Sequence, residues 1–112
     1  MNPHDGRVYL NLGVALAREG RTAEAMDHYF KASLQDSVHA SIAYYNIACE
    51  YAKQHKTEKA LTWLEKAIKK GFRNWKHIRA DKDLDSIRSS ARYKELIEDH
   101  WSIRASGDLS DL

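Results

Sequence analysis

The sequence has one cysteine, one proline and only five glycines in 112 residues. The single cysteine, Cys49, excludes an intrachain disulfide and fits a reducing compartment. The lone proline, Pro3, precedes the predicted helices, where its missing N–H costs nothing. No stretch approaches the roughly 18 consecutive apolar residues of a membrane-spanning helix, and no apolar run follows a basic N-terminus as in a signal peptide. We therefore expect one domain, located in the cytoplasm.

Patterns typical of catalysis or metal binding are also missing. None of the six histidines lies four residues from another, so no helical pair has the spacing of zinc ligands. The glycines are isolated, which argues against a glycine-rich phosphate loop. No Ser-His-Asp arrangement can be argued from the spacings either. We predict that the chain is not an enzyme and has no cofactor and no metal site.

An internal repeat with a shift of 35 residues is the strongest pattern in the chain. Seven positions keep their size class: Tyr9, Leu12, Gly13, Leu16, Ala25, Tyr29 and Ala32 return as Tyr44, Ile47, Ala48, Tyr51, Ala60, Leu64 and Ala67. Spacings of three, four and seven predict helices with one apolar face. Gly13 would cost roughly 1 kcal/mol against alanine inside a helix. Its place in the repeat predicts that a partner helix crosses closely there.

These seven positions resemble the tetratricopeptide repeat, whose signature has an aromatic residue, leucine and alanine at matching places. The resemblance implies an all-α fold, a right-handed superhelix of antiparallel helix pairs with about three units. We predict repeat 1 at residues 6–39, repeat 2 at 41–74 and a modified capping unit at 72–104, with a disordered tail at 105–112. A capping unit is expected because a solenoid must cover its last apolar face.

Turn residues predict where the helices begin and end. Gly20 and Gly71 are expected to be left-handed caps at helix C-termini. His55 stands where the family prefers glycine, although histidine adopts that conformation less readily. Thr22 and Thr57 are expected to cap the N-termini of the second helices of the two repeats.

In the family that the chain resembles, the first helix of each unit lines a concave groove. Carried onto this chain, the groove positions are Arg7, Leu10, Asn11, Val14, Arg18, Ile42, Tyr45, Asn46, Cys49, Lys53, Arg73 and Lys76. They predict an apolar floor beside two asparagines that can hydrogen-bond a peptide backbone. Cys49 is read as a small helix filler, since Lys53 is only a modest activator of its thiol. No carboxylate is expected in this groove.

Charge along the chain indicates the kind of partner. Residues 41–82 contain ten lysines or arginines against four acidic residues, whereas residues 83–112 contain four against seven. We expect a protein partner that presents an acidic or mixed apolar and acidic segment, steered by Arg73 and Lys76. The family's clamp for acidic chaperone tails is half missing, because Leu10 and Val14 cannot bind a carboxylate. Nucleic acid is disfavoured, since the net charge is only +2.

Two functions lead on the sequence alone, and binding of nucleic acid or another anion by the basic middle of the chain is a weaker third. The first is a protein-interaction module with a scaffold or adaptor role, which binds a partner peptide or helix in the groove. The alternative is a self-associating assembly unit, such as a homodimer, that uses its end faces. Trp101 on the last predicted helix would then be an exposed aromatic contact.

Overall fold

The computed structural model describes residues 5–98, which form helices joined by short turns. The elements are α1 (Gly6–Arg18), α2 (Thr22–Ser33), α3 (Ser37–Lys53), α4 (Thr57–Lys69), α5 (Trp75–Ala80), a 3₁₀ helix (Lys82–Ile87) and α6 (Ala91–Tyr93), which continues into a π-helical turn (Lys94–Glu98). No β-strand occurs between residues 5 and 98. The predicted all-α helical-repeat fold is confirmed.

Each helix packs mainly against its neighbours in the chain. The pairs α1–α2, α2–α3 and α3–α4 carry most of the contacts between elements, and α3 also touches the 3₁₀ helix. Small side chains make these close crossings possible: Ala25, Ala32, Ala60 and Ala67, at the repeated positions, are all 0% exposed. The larger repeated positions Tyr29 and Leu64 fill the space between them and are also buried.

Gly13 lies at a close contact between α1 and α2. A Cβ atom placed on this glycine would lie 2.5 Å from Cε1 and 2.7 Å from Cδ1 of Tyr29. Tyr29 is only 2% exposed, so its ring has little room to move away. The predicted close crossing is confirmed, and it explains a glycine in the middle of a helix.

The C-terminal turns of the helices agree with the sequence. Gly20 has φ of 79° and Gly71 has φ of 116°, so both take the left-handed conformation. His55 also adopts it, with φ of 59°. The backbone N–H of Arg21 reaches back to the carbonyl of Leu16, which closes the first of these turns. These turns set the antiparallel course of each helix pair.

The N-terminal caps differ from the prediction. Thr22 and Thr57 are the first helical residues rather than the caps, and the cap residues Arg21 and Lys56 make no side-chain hydrogen bond. Gly20 and His55 form the tight turns before α2 and α4. Each turn is followed by a single residue, Arg21 or Lys56, which therefore takes the cap position. By contrast, Asp36 caps α3 by accepting a hydrogen bond of 2.8 Å from the N–H of His39.

The segment after α4 is compact but irregular. Helix α5 has only six residues, and the chain then turns through the 3₁₀ helix to α6. Arg88 holds this turn: its guanidinium donates to the carbonyls of Ile78 and Asp81 and to the hydroxyl of Tyr93. The predicted contact of Trp101 and the predicted tail at 105–112 lie outside the described residues. The predicted repeat boundaries stay predictions.

Candidate functional site

The surface formed by α1, α3 and α5 contains a half-open pocket of about 260 Å³, which we call the groove pocket. All three helices and the turn after α5 contribute to it. Its lining residues are Val14, Ala17, Arg18, Tyr29, Tyr45, Asn46, Cys49, Glu50, Lys53, His77, Asp81 and Asp83. The pocket therefore lies on the first helices of the successive units, where the family resemblance places its groove.

The structure brings six of the predicted groove residues together in this pocket: Val14, Arg18, Tyr45, Asn46, Cys49 and Lys53. The others lie elsewhere: Arg7, Leu10, Asn11, Ile42, Arg73 and Lys76. Leu10 is only 7% exposed and belongs to the core between α1, α2 and α3. Arg73 donates to the carbonyls of Ile68 and Phe72, because α5 begins only at Trp75 and leaves Arg73 in the turn. The sequence spacing did not indicate that α5 begins only after Arg73.

Tyr45 is a wall of the pocket and ties α3 to the turn after α5. It is 3% exposed, and its hydroxyl donates to Oδ2 of Asp81 over 2.6 Å. Its ring stacks on Phe72, with ring centres 4.3 Å apart and planes 4° apart. The same carboxylate oxygen lies 3.8 Å from Sγ of Cys49 and 3.4 Å from Nε2 of His77. The other oxygen of Asp81 caps the 3₁₀ helix through the N–H of Asp83.

Three carboxylates lie in the groove pocket, so the prediction of a groove without carboxylates was wrong. Glu50 comes from α3, with a side chain 7% exposed and Oε2 2.7 Å from Nζ of Lys53. Asp81 and Asp83 arrive because α5 stops at Ala80 and the chain turns back across the pocket. The polar run from Asp81 onwards indicated a break in the helix. It did not show that the break would point two carboxylates at α3.

Burial keeps the Cys49 thiol and the phenol groups of Tyr45 and Tyr29 protonated. Burial, and then the negative charge of Asp81, raises the pKa of the Cys49 thiol well above its usual value. Burial raises the pKa of Tyr45 in the same direction, and it raises the pKa of Tyr29 to about 12. Because nucleophilic attack needs a thiolate, Cys49 is poorly suited to covalent chemistry. This supports its interpretation as a helix filler.

Potential metal ligands also meet in the pocket, although sequence spacing gave no sign of them. One ligand atom each from Cys49, Asp81 and Asp83 lies within 4.8 Å of the others. The thiol is buried and protonated, and Asp81 already accepts the hydrogen bond of Tyr45. Hydrogen bonds to Tyr45 and Cys49 account for the position of the Asp81 carboxylate, and the absence of a metal site stays a prediction.

Paired helices with small crossing residues and a groove on their first helices define a helical-repeat protein. Residues 6–35 and 42–69 match the tetratricopeptide repeat family, so the chain belongs to that family. Among curated proteins it is similar to a chloroplastic protein of Arabidopsis thaliana, with 33% identity over 91 residues. That alignment covers 80% of this chain but only 27% of the relative. No solved structure matches the chain.

Family membership gives the general class of function. Tetratricopeptide repeats are in general protein-interaction modules without catalytic activity, and this chain carries two of them. Within residues 5–98, no helix has the length and apolar character needed to cross a membrane.

Proposed function

We propose that this protein binds a segment of a partner protein in the groove pocket and acts as a scaffold or adaptor. The observation that supports this most is the side-chain amide of Asn46. It lines the pocket, and it has no hydrogen-bond partner among residues 5–98. An amide offers a donor and an acceptor together, which matches the N–H and C=O groups of an extended peptide.

The partner segment that we propose is of mixed charge. Arg73, one of the two cations expected to steer an acidic segment, is bound to the end of α4, and Lys53 in the groove is paired with Glu50. Lys76 is exposed and has no partner in the described part of the chain, so it can still attract an acidic residue at the edge of the groove. The proposed cytoplasmic location also remains a prediction.

Selection from a displayed library of random 12-residue peptides tests this proposal. Asn46→Ala is expected to weaken binding of the selected peptides about tenfold, because a buried peptide hydrogen bond loses its partner. Asn11→Ala is the matched control, since Asn11 occupies the same repeat position on α1 but lies outside the pocket. We expect it to change affinity less than twofold. Equal binding to both variants, with circular dichroism showing both folded, would contradict groove binding.

Self-association through an end face is the second candidate, and the exposure of Leu12 favours it. Leu12 is 46% exposed, whereas its repeat equivalent Ile47 is 0% exposed because α2 covers it. The outer face of α1 thus presents an apolar side chain that a second copy could cover. If this function holds, sedimentation will show dimers at micromolar concentration that Leu12→Glu converts to monomers. A monomeric wild-type chain at these concentrations would rule the dimer out.

A further inference from the structure

Most polar groups in the groove pocket already have partners. Asp81 accepts the Tyr45 hydroxyl and lies within reach of Cys49 and His77. Glu50 and Lys53 neutralise each other across 2.7 Å. These groups form the walls and are poorly placed to bind a partner as well.

Four lining groups are left over, and Tyr29 is the most informative. Tyr29 is 2% exposed, yet its hydroxyl has no hydrogen-bond partner among the described residues. Its oxygen is not among the fully buried side-chain polar atoms that lack a partner in the described residues, so the hydroxyl reaches the pocket, where a ligand can bind it. The Asn46 amide, the Asp83 carboxylate and the Arg18 guanidinium are likewise unpaired in the described part of the chain.

The charge balance of the pocket decides which ligand fits. Three carboxylates face two permanent cations, Arg18 and Lys53, which leaves one negative charge in excess when His77 is neutral. Helices α1 and α3 also end at Arg18 and Lys53, so the negative ends of both helix dipoles lie at the pocket. A positively charged ligand is therefore favoured over a negatively charged one in this pocket.

The charged groups around Tyr29 also favour a positively charged ligand. Burial is the main reason that its pKa rises to about 12, and the negative charge of Glu50 is the next. Asp83 acts in the same direction, whereas Arg18 opposes it and has the smallest effect. The carboxylates thus act on this hydroxyl more strongly than Arg18 does, and its oxygen can accept a hydrogen bond from a cation.

We propose that the groove pocket receives one basic side chain, a lysine or an arginine, from the partner segment. The acceptors are the Tyr29 hydroxyl, the Asn46 carbonyl oxygen and the Asp83 carboxylate. Val14 and Ala17 in the lining offer an apolar surface to the aliphatic stem of such a side chain. This inference rests on the proposed groove function and specifies which partner residue enters the groove.

Capped amino acids test the inference without knowledge of the partner. The probes are the Nα-acetyl amides of lysine, arginine, norleucine and glutamate, titrated into the ¹⁵N-labelled full chain at low ionic strength. The lysine and arginine probes are expected to shift the resonances of Tyr29, Asn46 and Asp83 and to bind at least fivefold more tightly than norleucine. The inference is overturned if glutamate binds as tightly as lysine, or if no basic probe binds at the pocket.

Two conservative variants locate the contact. Asp83→Asn and Tyr29→Phe are each expected to weaken the lysine probe about threefold to tenfold. Asp85→Asn in the same 3₁₀ helix and Tyr44→Phe are the controls, because neither residue lines the pocket. Unchanged affinity in both pocket variants would also overturn the inference. If the basic probes fail while Asn46→Ala still weakens binding of library peptides, groove binding stands and only the basic residue is wrong.

Discussion

Replacing Arg88 by alanine is expected to lower the free energy of unfolding by about 3 kcal/mol, the largest effect that we predict for one substitution. Arg88 donates to the carbonyls of Ile78 and Asp81 and to the Tyr93 hydroxyl, and its Nε lies 3.2 Å from Asp85. Truncation leaves partly buried carbonyl oxygens without a donor, and each unsatisfied group costs about 1–3 kcal/mol. Thermal unfolding should show the melting temperature falling by roughly 10–20 °C.

Arg92→Ala is the matched control for this prediction. Arg92 lies four residues further on and pairs with Glu58 and Glu65 at 3.1 and 3.4 Å, but these contacts are between partly exposed side chains. Such surface pairs contribute about 0–1 kcal/mol, so the control should unfold almost as the wild type does. If the two variants are equally stable, Arg88 is not the residue that holds the segment after α4 together.

The Arg88 substitution should also damage the groove pocket. Arg88 binds the backbone of Asp81, and the Asp81 side chain accepts the hydroxyl of Tyr45 in the pocket wall. Loosening this turn is therefore expected to weaken binding of library peptides even below the melting temperature. Arg88→Lys keeps the charge but puts three donors on a single nitrogen, which cannot reach all four partners of the guanidinium, so we expect an intermediate loss.

Gly13→Ala is expected to destabilise the protein by about 2 kcal/mol, although alanine is the better helix former. Alanine gains up to about 1 kcal/mol in helix propensity. The new methyl group, however, would lie 2.5 Å from the buried Tyr29 ring, and overpacking of a core typically costs about 1–3 kcal/mol or occasionally more. The two helices must separate or the ring must turn, and urea unfolding measures the difference.

A double substitution separates the steric cost from the other effects. In a Tyr29→Ala background the ring is gone, so Gly13→Ala should become neutral or stabilising. Ala15→Gly, at an exposed position of the same helix, calibrates the propensity term alone and should cost about 1 kcal/mol. The close-crossing explanation fails if Gly13→Ala stabilises the chain in the wild-type background.

The repeated core was predictable because it depends on spacing alone. Gly13 and Tyr29 recur in register with Ala48 and Leu64, and the structure packs both pairs between the helices of one unit. Leu12 belongs to the same register but is 46% exposed, since within residues 5–98 no helix precedes α1 to cover it. Periodicity gives the face of a helix, whereas its burial depends on which neighbours exist.

The acidic part of the groove could not be predicted in this way. The positions of Asp81 and Asp83 depend on α5 ending after six residues, and Arg88 binds the carbonyls of Ile78 and Asp81 at that ending. Glu50 lies outside the family's groove positions, yet it lines the pocket and pairs there with Lys53. Tertiary hydrogen bonds such as those of Arg88 leave no periodic trace in a sequence.

Chemical-shift mapping of the ¹⁵N-labelled chain with a peptide selected from the library tests the groove account most directly. The account predicts that the largest shifts fall on Arg18, Asn46 and Asp83, which line the pocket from three parts of the chain. Shifts concentrated at Leu12 and its neighbours on the outer face of α1, with the pocket unchanged, would contradict it. In that case the end face, rather than the groove, would be the binding surface.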